Sequence, residues 1–333
     1  MSVIYPRKPT YILCSASVGG NRERNGQIGD LMDITSMDDR FGKDTWEEAE
    51  AEIQRLSLRK ALEKGGLRES DLSCMFAGDL LNQCVASVYG LLGFNAPLFG
   101  IFGACSTVAE GLILATLAIN GGAELCSVTA SSHNCSAERQ FRYPIEYGAI
   151  RTPTSQWTVT GGASFIVGSK CESPIAKILA LCPGRMCDSG ISDANNMGAA
   201  MAPAAADTFI RYFKETGEKP EDFDYIFTGD LGAEGSDLFK LIMGDNGFRY
   251  LENHRDCGLM IYSSEDKDIK SGGSGCGCSA SVLSSLILPD IKRGRLKNVL
   301  FAATGALMNA ATVQQGNTIP GICHLLRISS VGG

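Results

Sequence analysis

No apolar run in this 333-residue chain approaches the roughly twenty residues needed to cross a bilayer. Even GLILATLAIN is bounded by Glu110 on one side and by Gly121 and Gly122 on the other, so any membrane association is expected to be peripheral. The opening MSVIYPRKPTYILCSAS has no long apolar core behind a basic start and no small-residue cleavage site, which predicts a chain made and kept in the cytosol. Positive charge is not in excess either. Lys and Arg number 30 against 37 Asp and Glu, a net charge of -7 that repels a phosphate backbone and removes nucleic acid from the expected partners. The 13 cysteines are odd in number and lack the clustered spacing of a secreted disulfide framework, so free thiols in a reducing compartment are expected. Cys276 and Cys278 have no second Cys/His pair at structural-zinc spacing, and no metal is expected. What the chain does have is 44% hydrophobic against 20% charged residues, enough for a large buried core.

An internal duplication organises that core. LSCMFAGDL and FDYIFTGDL align Phe76, Gly78, Asp79 and Leu80 with Phe227, Gly229, Asp230 and Leu231, an offset of 227 − 76 = 151. Each follows a helical stretch. Further on, Cys105 and Cys278 each open an apolar helix that leads to a strand, at an offset of 278 − 105 = 173. The second half therefore carries 173 − 151 = 22 extra residues, which bracket DNGFRYLENHRDCGLMIY. Strands alternating with helices predict βαβ units with parallel pairing. Asp79 and Asp230, recurring after a strand in both halves, read as turn caps.

In FGACSTVAEG, Cys105 stands at a strand-to-helix turn, where the helix dipole and unpaired N–H groups are expected to lower the thiol pKa and favour thiolate. This turn, the duplication and the late His254 segment resemble the thiolase superfamily, in particular its ketoacyl-synthase III branch. That resemblance implies a five-layer α/β/α/β/α sandwich made of two duplicated halves, residues 1–170 and 171–333. It matches Cys105 to the family nucleophile and His254 to the His of the H-Q-A-N motif. It also places Cys276 where the family has Asn, so Cys105, His254 and Cys276 read as relics of a catalytic set. A thiol is a weak hydrogen-bond donor, and Asp256, where the motif has Ala, adds negative charge beside a developing oxyanion. Normal condensing chemistry is not expected.

A closer resemblance runs through GDLLNQ, FGACST, ASSHNCSAERQFRYPIEYG, MGAAMAPAAADT, HRDCGLMIY, GGSGCGCSA, ATGAL and TIPGICH, in order, along nearly the whole chain. These segments resemble the stage V sporulation protein AD family. The resemblance implies no cofactor and a ligand, dipicolinic acid, with or without calcium. It also implies integral membrane SpoVA partners, a homodimer, and a peripheral location at the spore inner membrane, with roles in uptake during sporulation and release at germination. A flat pyridine dianion needs cationic or N–H donors and an apolar face. Candidate ligand residues are Cys105, His133, Glu138, Arg139, Arg142, Tyr143 and His254, with Arg139 and Arg142 sharing a face if the stretch is helical. Blander readings pair the arginines with Glu138 and Glu146 and use His133 to satisfy backbone at a strand end. The rival functions are an acyl-thioester condensing or transfer enzyme using Cys105 and His254, and a purely structural subunit.

Overall fold

The computed structural model describes residues 3–142, 151–249, 251–263 and 266–332. The first half runs β1 (Thr10–Gly19), α1 (Asn21–Arg24), β2 (Ile34–Thr35), α2 (Trp46–Gly65), β3 (Cys74–Gly78), α3 (Val85–Leu91), β4 (Leu98–Gly100), α4 (Thr107–Gly121), β5 (Leu125–Ser132), α5 (Asn134–Phe141), β6 (Trp157–Thr158) and β7 (Gly161–Gly168). The second runs β8 (Ala176–Cys182), α6 (Met197–Thr216), β9 (Tyr225–Thr228), α7 (Gly232–Asp245), β10 (His254–Asp256), α8 (Cys257–Ile261), β11 (Gly273–Ser274), α9 (Cys276–Val282), α10 (Leu288–Lys292), β12 (Asn298–Ala306), α11 (Ala310–Gln314) and β13 (Gly321–Ser329).

The strand order β1-β7-β5-β3-β4 in the first half recurs as β8-β13-β12-β9-β10 in the second. Reading outward from β1 or β8, two antiparallel pairings are followed by two parallel ones in both sets. The parallel steps are bridged by helices, as chain geometry requires. β1 and β8 also pair with each other, Thr10 opposite Ile178, so the two sets form one hydrogen-bonded path that, with β2 on β1, has eleven strands.

Side-chain parity then builds the layers. On β12, Leu300 and Ala302 pack with Phe209 and Phe213 of α6 in an outer core, while Phe301 and Ala303 face Leu112 and Ala115 of α4 in the central one. On the far side, Leu58, Ala61 and Leu62 of α2 cover Met75, Ala77 and Ile166. Helices α2, α4 with α9, and α6 thus alternate with the two strand sets, giving the expected five layers. Ala104–Gly121, 18 residues of mean hydropathy 1.4, is apolar enough by length and composition to cross a membrane; as the central layer it has a strand set on either face.

The central helix α9 is made of small residues because nothing larger fits. A Cβ on Gly277 would stand 2.1 Å from the Gly161 carbonyl oxygen of β7. Beyond α9 the chain passes through a wide π turn, Leu283–Ile287, whose Ser284 and Ser285 hydroxyls bond Ser15 and Ser17 of β1 at 3.0 and 2.8 Å. The halves differ in the stretch that leads into the central helix. β4 leads quickly into the turn before α4, but α8 and β11 intervene between β10 and α9. Because β4 and β10 start at an offset of 254 − 98 = 156, most of the extra chain follows His254 instead of preceding it.

Gly277→Ala is expected to destabilise the fold by about 1–3 kcal/mol through overpacking. Denaturant midpoints of the two proteins measure it; an unchanged midpoint would mean α9 and β7 are not in backbone contact.

Candidate functional site

A cavity of about 230 Å³ opens between the halves. The turn ahead of α4 forms one wall, with Ala104 and Cys105; β6 and β11 contribute Thr158 and Ser274. Helix α5 supplies Ala137 and Phe141, and Arg142 at its C-cap. Met197 and Met201 of α6, with Ala306 at the end of β12 and residues 307–309 beyond it, close the apolar side.

The Cys105 turn is strained. Ala104 has φ +52°, a left-handed conformation that a residue with a Cβ adopts only when its surroundings enforce it. Those surroundings are donors and a close neighbour. The Ser106 hydroxyl donates to the Gly103 oxygen at 2.6 Å, and the Thr107 hydroxyl to the Ala104 oxygen at 2.6 Å. Cys276 donates its S–H to that same Ala104 oxygen at 2.9 Å. Gly305 of β12 presses from the other half, where a Cβ would come within 2.7 Å of the Gly103 oxygen. Cys276 therefore holds the turn from behind and does not line the cavity.

The residue that meets Cys105 from the second half is Asp230. The Cys105 sulfur lies 3.7 Å from the Ser274 hydroxyl, which donates to Asp230 Oδ2 at 2.6 Å. The Gly275 N–H reaches the same oxygen at 3.0 Å, and the Thr304 hydroxyl reaches Oδ1 at 2.8 Å. Burial raises the Asp230 pKa above the ordinary carboxylate value. It also raises the Cys105 pKa well above the usual 9.0, and the Asp230 charge adds to the effect. The expectation of a thiolate is thus overturned: desolvation and a neighbouring carboxylate outweigh the helix dipole. Asp230 is correspondingly more than a turn cap. Its counterpart Asp79 does cap its turn, accepting from Leu81 N–H at 2.9 Å and from the Ser87 N–H and hydroxyl at 2.9 and 2.6 Å.

His254 is not at the cavity, which corrects the assignment of that residue to the site. It pairs in register with Ile226 of β9, whose side chain belongs to the outer core, and its ring lies 5.0 Å from that of Phe239 on α7. Cys105 belongs to the central core, on the opposite face of the second strand set. The Thr228 hydroxyl donates to Asp256 at 2.6 Å and so accepts from His254 Nε2–H at 2.9 Å. Burial, with Lys240 and Arg255 nearby, pushes the His254 pKa down to about 3, so the ring is neutral. Asp256 accepts from Leu231 and Gly232 N–H at 2.8 and 3.1 Å and stays among those donors, with burial pushing it up to about 7.

His133 is likewise a structural residue. Its Nδ1 accepts from Cys135 N–H at 3.1 Å as the N-cap of α5, so Nε2–H donates to the Asp39 oxygen at 2.7 Å. Burial lowers its pKa below 6.5. The two arginines separate, because α5 ends at Phe141 and Arg142 leaves the helix at φ −126°, ψ −82°. Arg139 pairs with Glu47 on an exposed surface away from the cavity. Arg142 lines the cavity and pairs with buried Glu138 at 2.5 Å, and Arg151 approaches the same carboxylate at 3.8 Å. Tyr143 and Glu146 lie outside the described residues. Sequence reasoning missed Asp230, Ser274, Thr158 and the methionines of α6. Only Asp230 carried a signal, its Gly-Asp repeat, and that signal is shared with a structural cap.

Residues 2–329 match the family model of the Stage V sporulation protein AD (SpoVAD). The chain is 39% identical over 326 residues to the Stage V sporulation protein AD of Bacillus subtilis, covering 98% of this chain and 96% of that one. Among solved structures it is similar to cerulenin-bound OleA of Xanthomonas campestris, with 12% identity, a TM-score of 0.61 and coverage of 98% of this chain and 100% of that one. It is also similar to 3-oxoacyl-[acyl-carrier-protein] synthase III from Aquifex aeolicus, with 14% identity, a TM-score of 0.57 and coverage of 96% and 99%. These identities speak for the fold alone: it is thiolase-like, and the chain carrying it belongs to the stage V sporulation protein AD family.

Proposed function

We propose that the chain is a sporulation receptor for dipicolinate, with or without calcium, and not a condensing enzyme. In this reading it works at the spore inner membrane beside integral SpoVA proteins, in uptake during sporulation and release at germination. The observation that carries the ligand assignment is a single guanidinium, Arg142, set into a cavity otherwise dominated by apolar groups such as Phe141, Met197 and Met201. Aromatic and aliphatic walls suit the pyridine ring, and a guanidinium fork suits a carboxylate. The Glu138 partner holds the guanidinium in place at 2.5 Å before a ligand arrives.

The same cavity is poorly equipped for thioester chemistry. None of the three histidines lines it, so no imidazole stands ready to take a proton from Cys105 or to polarise an acyl oxygen. A carboxyl and a hydroxyl face the sulfur instead, and burial keeps it protonated. The strained turn under Cys105 favours the acyl-transfer reading.

A second copy is proposed to cover the outer edge of β4. That strand ends the sheet, and Leu98, Phe99 and Gly100 are all exposed. Tyr89, Leu92 and Phe99 are 68%, 75% and 54% exposed on the same stretch of chain, an apolar edge that isolated proteins avoid. Phe102, 53% exposed, continues this surface into the cavity wall, so the second copy would narrow the cavity mouth.

Calorimetry with dipicolinate should show saturable binding that Arg142→Ala weakens by about tenfold or more, the worth of one charge-assisted hydrogen bond. Absence of saturable heat with the wild-type chain overturns the assignment. Peptide mapping after iodoacetamide at pH 8 should find Cys105 labelled far more slowly than exposed Cys171, with Asp230→Asn recovering part of the difference. Malonyl-CoA should leave the intact mass unchanged; a Cys105 adduct with turnover would establish the enzyme instead. Light scattering at micromolar concentration should give a dimer that Phe99→Asp converts to monomer, and a wild-type monomer removes the proposed interface.

A further inference from the structure

The extra chain of the second half is fastened to the first half, and its far end builds the cavity. Gln27 N–H donates to the Ile261 oxygen at 3.1 Å and its side-chain amide to the Tyr262 oxygen at 2.6 Å. Arg22 pairs with Asp266 at 3.0 Å and with Asp268 at 3.3 Å. Ser271 N–H donates to the Ser155 oxygen at 3.0 Å, and Trp157 N–H to the Gly272 oxygen at 2.8 Å. Residues 273 and 274 then pair as β11 with β6, which sets Ser274 beside Thr158, both of them cavity residues. Ser274 and Gly275 are also two of the donors that hold Asp230.

One fastening among these is a buried acid. Glu23 of α1 is completely buried; its Oε1 accepts from the Tyr262 hydroxyl and from Thr160 N–H at 3.0 Å. Its Oε2 is buried with no hydrogen-bond partner, and among the described residues no cation pairs with it. The charged and titratable groups around the pair are few. Asp39 comes in from the loop after β2, its Oδ1 held by Asn21 N–H at 2.9 Å, and adds repulsion. Arg22 is engaged with Asp266 and Asp268 and lies 4.0 Å over the Trp157 ring, which Arg151 also approaches at 5.0 Å. Cys278 of α9 stands behind Tyr262.

We infer that α8, Tyr262 and residues 266–275 form a proton-sensitive strap. The neutral Glu23 carboxyl, bonded to the Tyr262 phenol, holds the strap against the first half. Ionisation of Glu23 loosens it and with it the Ser274 wall of the cavity. The phenol donor offsets only part of the cost of a buried anion, and relief requires water at Oε2, hence movement of the strap. Burial pushes the Glu23 pKa up from 4.5 to about 7. A raised carboxyl pKa contributes stability that is complete below the unfolded value and is lost as pH rises through the folded one, here from about 4.5 to about 7.

The consequence for affinity rests on the cavity being the dipicolinate site; the loosening of the strap does not. Hydrogen exchange of the full chain at pH 6 and pH 8, corrected for intrinsic rates, should show protection in peptides spanning 266–275 falling by about tenfold at the higher pH. Glu23→Gln, which keeps the shape and cannot ionise, should abolish that fall, and Tyr262→Phe should lower protection at pH 6. Dipicolinate affinity should weaken between pH 6 and pH 8 in the wild type and stay level in Glu23→Gln. Equal protection at both pH values, or a fall that persists in Glu23→Gln, overturns the strap. Should dipicolinate fail to bind while the Glu23-dependent fall is seen, the ligand assignment is lost and the strap stands.

Discussion

The architecture of the site depends on one buried carboxyl. Asp230 receives Ser274 and Thr304 hydroxyls and the Gly275 N–H on its two oxygens, while its own carbonyl accepts from Gln156 of the first half at 2.6 Å. Those partners sit on β11 with the start of α9, on β12 and on the approach to β6, so a single residue ties together three pieces of chain that must otherwise be ordered separately. A carboxyl so deeply buried is costly unless its lone pairs are met, and here they are. The thiol at the cavity wall is then a passenger of this network: its environment is set by what Asp230 needs.

Much of the scaffold was legible because duplication writes the same pattern twice. Phe76 and Phe227, with Gly-Asp after each, mark equivalent strands, and the helices before them recur at the same spacing. Layer order followed from the resemblance, and the all-round apolar character of 107–121 agrees with a helix between two sheets. The site was less legible for a reason of parity. Neighbouring positions of a strand point to opposite faces, so His254 lies on the α7 side although the adjoining β9 leads straight to Asp230. Residue type alone suggested an imidazole; only the register shows which face it serves.

The arginines illustrate a second limit. Three residues apart on a continued helix, Arg139 and Arg142 would share a surface, but the helix stops between them and the second guanidinium swings inward to Glu138. Helix ends are decided by a few backbone angles that composition does not encode. Cys276 shows a related effect: where the resemblance led one to expect a lost catalytic partner, its thiol serves the Ala104 carbonyl beside a left-handed turn. The repeated aspartates show the converse, since one ancestral position has become a cap in the first half and the hub of the cavity in the second.

Antiparallel pairing of β1 with β8 has a mechanical meaning. Two-lobed binding proteins commonly close on their ligands by bending a flexible connection between lobes. Here the two strand sets are instead joined by main-chain pairing, Thr10 to Ile12 against Ala176 to Ile178, which stitches them into one sheet. Opening of the cavity is then the work of the segments that cover it more than of a hinge between the two sets, because separating the sets would break the main-chain bonds of that seam.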